Sequence, residues 1–68
     1  MTRGETIFKW ITDRHSEGMT AYATNYMHSI KIAPKHADRV RLSADGEHCE
    51  IMAGRRWDSI NFCKITAR

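Results

Sequence analysis

The chain has few of the residues that build disulfide scaffolds, linkers and membrane spans. Its 68 residues include two cysteines, one proline and four glycines. Cys49 and Cys63 are too few for a disulfide framework, and we interpret both as small buried hydrophobes. No apolar run reaches the roughly 18 residues of a membrane span, and residues 1–5 lack the apolar stretch of a signal peptide. We therefore expect a cytoplasmic protein that does not bind a membrane.

The length of the chain predicts one small domain, residues 1–68. A core of this size supplies only a few kcal/mol of net stability and leaves little room for a large enzyme cleft. The four histidines and two cysteines form neither a C-x-x-C motif nor a pair of histidines at zinc-finger spacing. We expect no catalysis, no metal and no cofactor.

Basic residues exceed acidic ones and are clustered. Eleven Lys and Arg against eight Asp and Glu give a formal net charge of +3. Residues 31–41 contain four basic side chains against the single acid Asp38, and Arg55 with Arg56 forms a second basic point. Two separated basic points indicate a surface that binds a polyanion, whereas the alternative is an ordinary solvated surface.

The first periodic stretch, residues 4–15, predicts an amphipathic helix. Its apolar face carries side chains at the spacing i, i+3, i+4 and i+7, and Phe8 widens that face. These spaced positions are Ile7, Trp10, Ile11 and Arg14. Gly18 follows, and we expect it to end the helix in a left-handed conformation.

Residues 19–30 predict a second helix. Their apolar side chains fall at the helical spacing i, i+3, i+4, i+7, i+8 and i+11, at Met19, Tyr22, Ala23, Tyr26, Met27 and Ile30. A strand competes, because β-forming side chains also alternate over residues 20–32. The helix accounts for more of the apolar residues, so it is the preferred interpretation.

A third element begins at Pro34, since proline suits the first helical turn and disfavours the α conformation at Ala33. Ala33, Ala37, Val40 and Ala44 share one helical face, which predicts a short third helix over residues 34–43. The alternative is a strand over residues 39–43, with Val40 and Leu42 directed inward.

The last third of the chain predicts an antiparallel hairpin over residues 47–66. Asp45-Gly46 and Gly54-Arg55 are turn sequences, and Cys49, Ile51 and Ala53 alternate between them. Arg55 and Arg56 lie at the expected tip. The alternation slips near Phe62-Cys63, where we expect a bulge. Trp57 is interpreted as a core residue that seals the first helix.

This order of elements resembles a compact winged helix-turn-helix domain. The segments that carry the resemblance are GMTAYA (residues 18–23), IAPKHADRV (32–40), ADGE (44–47) and GRRW (54–57). The resemblance implies an α+β fold. Its helical N-terminal half would contain two to three short helices, and an antiparallel β-hairpin would follow as a wing. In such a domain the second helix braces a third helix that lies in the major groove of DNA.

The resemblance also implies a set of DNA-binding residues. Lys35, His36 and Arg39 would face the groove from the third helix, Arg55 and Arg56 would form the wing tip, and Lys31 would lie in the preceding turn. Arg39 is the first candidate for a base contact. The function implied is that of a small transcriptional regulator of the phage or plasmid type that binds double-stranded DNA. The small footprint suits one half-site, which is consistent with a homodimer on a palindrome.

A second hypothesis comes from another class of protein. A small phage-type inhibitor, similar to an anti-CRISPR or antirestriction protein, would bind a protein complex that handles nucleic acid. Its fold would place one or two helices against an antiparallel sheet and would use the strand alternative at residues 39–43. A helix over residues 34–43 favours the DNA-binding regulator, whereas a strand there favours the inhibitor.

Overall fold

A computed structural model describes residues 1–25, 28–60 and 64–67 of the chain. The described part contains one α-helix, one 3₁₀ helix and six strands. In chain order these are α1 (Arg3–Ser16), β1 (Ala21–Asn25), β2 (His28–Ile32), the 3₁₀ helix η1 (Pro34–Arg39), β3 (Val40–Leu42), β4 (Cys49–Ala53), β5 (Arg56–Ser59) and β6 (Lys64–Ala67).

The fold is α+β, as expected, with one N-terminal α-helix followed by antiparallel strands in two small sheets. Sheet A has the strand order β2-β1-β6, and sheet B has the order β3-β4-β5. All strand pairs in both sheets are antiparallel. The prediction of two to three helices in the N-terminal half was too high, because α1 is the one α-helix of the described residues and the 3₁₀ helix η1 begins only at Pro34.

Helix α1 begins with a capping box between Thr2 and Glu5. The Thr2 hydroxyl accepts from the Glu5 backbone N–H at 3.1 Å, and the Glu5 carboxylate accepts from the Thr2 backbone N–H at 2.9 Å. These bonds satisfy two N–H groups that a helix start otherwise leaves without partners. The bond from the Thr2 backbone lowers the pKa of the Glu5 carboxyl below its ordinary value.

The end of α1 is a Schellman motif built on Gly18. Gly18 has a φ of +77°, its N–H donates to the His15 carbonyl at 3.0 Å, and the Met19 N–H donates to the Arg14 carbonyl at 3.0 Å. A side chain at this φ would be strained, which is why glycine ends the helix. The predicted helix and its left-handed glycine are confirmed.

The predicted second helix over residues 19–30 is wrong, because β1 and β2 occupy this segment. Ala21 pairs with Ile32 and Ala23 pairs with Ile30, all on the face turned to the core. Tyr22 pairs with Lys31 on the opposite face. The helical spacing therefore combined side chains from both faces of a sheet, while the β-forming residue types favoured the strand alternative. The predicted helix positions Tyr26 and Met27 lie outside the described residues.

The predicted third helix is also wrong in its extent. Pro34 begins a helix as expected, but η1 is a six-residue 3₁₀ helix that is interrupted by the non-helical His36 (φ −109°, ψ 25°). Strand β3 follows at once, and the strand alternative is confirmed with the bounds 40–42. The alternation of buried Val40 with exposed Arg41 fits a half-buried strand better than a continued helix.

The predicted hairpin is confirmed for β4 and β5 and corrected beyond them. Gly54, at a φ of +67°, lies in the turn with Arg55, and Arg56 opens β5 opposite Ala53. The ladder continues as far as Ile60, whose N–H donates to the Cys49 carbonyl at 2.7 Å. Strand β6 then leaves the hairpin and pairs with β1 in sheet A. The expected bulge at residues 62–63 lies outside the described residues.

The hydrophobic core lies between α1 and the two sheets. Ile7 and Ile11 of α1 are buried against residues of both sheets, and Phe8 and Trp10 pack at its margin. The buried sheet residues are Ala21, Ala23, Ile32, Val40, Cys49 and Ile51, with Ile60 following β5. Helix α1 covers one face of sheet B, and on the other face Arg41 and Ser59 are exposed while Met52 and Trp57 are half-buried.

Candidate nucleic-acid interface

The structure distributes the six predicted DNA-binding residues over three elements. Lys31 is exposed on β2, Lys35 and Arg39 are exposed on η1 beside the half-buried His36, and Arg55 and Arg56 are exposed at the β4–β5 turn. The recognition helix expected to carry three of them is absent from the described residues. A 3₁₀ helix of this length rises only about 12 Å, which is too short to fill a groove as a recognition helix does.

The pairing register brings Arg39, Arg55 and Arg56 to one end of sheet B. Val40 opens β3 opposite Ile51, so Arg39 precedes the strand at the end where the β4–β5 turn lies. Ala53 and Arg56 are the last pair before that turn. We call Arg39, Arg55 and Arg56 the tip cluster. Lys31 on β2 and Lys35 on η1 lie on neighbouring elements, because η1 contacts both β2 and β3.

Three other cations of the described residues have carboxylate partners. Lys9 binds Asp13 at 3.2 Å, Arg14 binds Glu17 at 3.5 Å, and Arg41 binds Glu50 at 2.9 Å. In contrast, Lys31, Lys35 and the tip cluster make no ion pair with any described carboxylate. Asp38 and Asp58 are the acidic residues on the same elements, and both are exposed. The five predicted lysines and arginines thus differ from Lys9, Arg14 and Arg41 in having no carboxylate partner among the described residues.

Trp57 lies on the solvent face of sheet B and not against α1. It pairs with Met52, on the same face as the Arg41–Glu50 pair and opposite to the face of Cys49 and Ile51. The Arg41 guanidinium carbon lies 4.0 Å from the centroid of the Trp57 ring. The interpretation of Trp57 as a core residue is wrong, because the register of β5 directs its side chain away from the helix.

Arg41 is a site residue that the sequence reasoning missed. Its position between Val40 and Leu42 places it on the outward face of a strand, which the strand alternative already implied. Its partner Glu50 lies opposite it in the register of β3 and β4. The contacts with Glu50 and Trp57 depend on pairing between distant parts of the chain, and no local sequence pattern indicates them.

A cavity of about 250 Å³ opens beside the start of α1. Its wall includes Arg3, Gly4, His48 and Cys49. Cys49 is fully buried, and desolvation raises the pKa of its thiol to about 12. A thiol that stays protonated at neutral pH is a poor nucleophile, and the buried Cys49 matches the expectation of a small core hydrophobe.

The loop between β3 and β4 is ordered by Ser43 and Asp45. The Asp45 carboxylate accepts from the Ser43 hydroxyl at 2.6 Å and from the Glu47 N–H at 3.0 Å. The Ser43 hydroxyl in turn accepts from the His48 N–H at 3.0 Å. The bond from Ser43, followed by that from Glu47, lowers the pKa of Asp45 below its ordinary value.

Stability is expected to fall in acid partly through Asp45. Because its pKa is lower in the folded protein than in the unfolded chain, the unfolded chain binds more protons as the pH falls from about 5. The stabilisation is fully present at pH values above the pKa of Asp45 in the unfolded chain. It is lost as the pH falls through the pKa of Asp45 in the folded protein. Asp45→Asn should flatten this acid dependence, as measured by urea unfolding between about pH 2 and 7.

The matched control for this experiment is Asp58→Asn. Asp58 is exposed and accepts no hydrogen bond from the described residues. This variant should keep the acid dependence of the parent. An identical effect of both substitutions would contradict the role given to the Asp45 loop.

Within residues 1–25, 28–60 and 64–67, no group of three or more His, Cys, Asp or Glu side chains could hold a metal ion. His15, one of the four histidines, instead donates from Nε2 to the Ile32 carbonyl at 2.9 Å and ties α1 to β2. In the same described ranges, no helix is long and apolar enough to cross a membrane.

Comparisons with known proteins provide no family for the chain. Models of protein families, curated proteins and solved structures contain no match to it. The winged-helix resemblance therefore stays a prediction. The function has to be inferred from the geometry and charge of the described residues.

Proposed function

We propose that this protein binds double-stranded DNA as a small cytoplasmic transcriptional regulator. The observation that supports this function most directly is the set of exposed cations without carboxylate partners: the tip cluster with Lys31 and Lys35. Cations that are solvated and not paired neutralise phosphates and release counterions, which gives affinity for DNA of any sequence. The proposal needs neither a cofactor nor a catalytic step.

The β4–β5 hairpin replaces the recognition helix in this proposal. Strand β3 begins opposite Ile51, so Met52 and Ala53 pair with β5 in a two-stranded tip that extends past the three-stranded part of sheet B. The major groove accommodates a two-stranded ribbon as well as a helix. In this proposal the hairpin predicted as a wing therefore takes the place of the recognition helix, and η1 adds backbone contacts beside it.

The size of the molecule suits one half-site. Its longest dimension is 28 Å, which is less than one turn of B-DNA, about 34 Å. A homodimer that binds two half-sites one turn apart is therefore part of the proposal.

The test is fluorescence anisotropy of labelled duplex DNA of random sequence at several salt concentrations between about 50 and 200 mM. The parent should bind with a dissociation constant of about 1–100 μM and weaken steeply with salt. Replacing all three tip residues (Arg39→Ala, Arg55→Ala and Arg56→Ala together) should make the slope of log K against log salt shallower by about 0.9 per lost phosphate contact. These side chains are exposed, so the melting temperature should change little.

Lys9→Ala is the control for this titration, because Lys9 is an exposed cation on α1 that is already paired with Asp13. It should leave the salt slope unchanged. Absence of binding at 50 mM salt, or equal slopes for the parent and the triple variant, would rule out the proposed phosphate contacts.

One observation favours the inhibitor as a second candidate. Residues 40–42 form a strand, and a helix packs against antiparallel sheets, as the inhibitor hypothesis requires. In that case the unpaired cations would face an acidic surface on a protein that handles nucleic acid. The protein would then protect DNA from cleavage by a restriction or CRISPR nuclease without binding the bare duplex. The DNA titration therefore separates the two candidates.

A further inference from the structure

Arg41 is held by two neighbours on the solvent face of sheet B. Its Nε donates to a Glu50 carboxylate oxygen at 2.9 Å, and its guanidinium lies over the Trp57 ring, 4.0 Å from the centroid. The Arg41 side chain is nevertheless 50% exposed. Arg41 therefore spans the face from the first strand of the sheet to the third in one fixed orientation.

This arrangement leaves the two terminal nitrogens of Arg41 available to a ligand. The contact with Glu50 uses Nε, and neither Nη atom has a hydrogen-bond partner among the described residues. The planar guanidinium thus presents donors in a fixed geometry. Because Trp57 and Glu50 already order the side chain, binding through these donors costs less conformational entropy than binding through a free arginine.

Glu50 also changes which acceptor Arg41 favours. A carboxylate at 2.9 Å offsets the positive charge of the guanidinium and repels an approaching phosphate. The terminal nitrogens of Arg41 can still donate hydrogen bonds to an uncharged acceptor. This separates Arg41 from the tip cluster, whose cations have no carboxylate partner and suit phosphates.

We infer that Arg41 binds the edge of a guanine in the major groove and gives the protein a sequence preference. Guanine presents two neighbouring acceptors there, O6 and N7, which match a pair of guanidinium donors. Trp57 lies one residue pair from the Ala53–Arg56 end of the hairpin, so the guanidinium of Arg41 lies close to this end, on the face of the sheet opposite to that of Arg56. This inference rests on the proposed function and assigns the base-specific contact to Arg41 in place of Arg39, the first candidate from the sequence, which stays a phosphate-binding residue of the tip cluster.

The experiment selects sequences from a pool of random duplexes with the purified protein and compares the enriched sites between variants. The parent should enrich a site that contains a guanine at a fixed position. The double variant Arg41→Gln with Glu50→Gln keeps the net charge of the pair but removes the guanidinium. It should lose the discrimination at that position, by about tenfold, while its salt slope stays that of the parent.

Arg39→Gln is the matched control, because it removes an unpaired cation from the tip cluster. It should make the salt slope shallower and keep the guanine preference. Arg41→Lys provides a second variant with the charge retained, and it should also weaken the preference since lysine lacks the planar pair of donors. The melting temperature of each variant confirms that it is folded.

The outcomes separate the inference from the proposed function. Duplex binding without sequence preference in the parent would overturn the role of Arg41 and leave the DNA-binding proposal standing. A guanine preference that survives in the double variant and in Arg41→Lys would also overturn it. No duplex binding at low salt would refute the proposed function itself.

Discussion

Ile11→Ala is expected to lower the free energy of unfolding by about 2–5 kcal/mol. Ile11 is 1% exposed and lies in the core between α1 and the sheets. Truncation removes buried methyl groups and leaves a cavity that the surrounding strands cannot fill. A domain of 68 residues has only a few kcal/mol of net stability, so most molecules should be unfolded at 25 °C. Urea unfolding followed by circular dichroism measures the effect.

Two variants serve as controls for this prediction. Ile11→Val removes one methylene and should cost about 0.5–1.5 kcal/mol. Thr12→Ala changes the exposed neighbour on the same helix and should remain within about 0.5 kcal/mol of the parent. Parent-like stability of Ile11→Ala would mean that α1 does not cover the sheets as described.

The first helix was predictable because its determinants are local. The 3.6-residue period of Ile7, Ile11 and their neighbours indicates the buried face. Gly18 marks the end, and the T-x-x-E sequence at Thr2 and Glu5, a signal that the prediction did not use, marks the start. Each of these signals operates within one or two turns of chain, so a single sequence displays all of them.

The strands of sheet A were not predictable in the same way. Ala21 and Ala23 are nearly completely buried at the centre of this sheet, but alanine is a good helix former and favours no strand by itself. Strand β1 is held between β2, the next strand in the chain, and β6, whose paired residues follow those of β1 by forty or more positions. The helical spacing of Met and Tyr residues outweighed the strand pattern in the prediction, and no local pattern indicates the pairing with β6.

The candidate interface, too, was predictable only where its determinants are local in the sequence. Charge and exposure of Arg39, Arg55 and Arg56 could be inferred from composition and from a turn sequence. Their arrangement at one end of sheet B could not, because it depends on the register that sets Val40 opposite Ile51. The stacking of Arg41 on Trp57 depends on two such registers and was missed.

The contact between α1 and the loop before β4 carries the second large prediction. Gly4 is buried where the helix crosses this loop, and a Cβ at Gly4 would lie 2.6 Å from the His48 backbone N and 2.7 Å from the Glu47 carbonyl carbon. The loop has little freedom to move away. His48 N donates to the Ser43 hydroxyl, and the Thr2 hydroxyl donates to the Gly46 carbonyl.

Gly4→Ala is therefore expected to destabilise the protein by about 1–3 kcal/mol. Helix propensity alone predicts the opposite sign, because alanine is favoured over glycine by up to about 1 kcal/mol within a helix. The sign of the change in the urea midpoint thus decides between propensity and packing. Thr12→Ala, which alters the propensity of the same helix without a close approach, is the reference. A gain in stability for Gly4→Ala would place α1 farther from residues 47–48 than the structure has it.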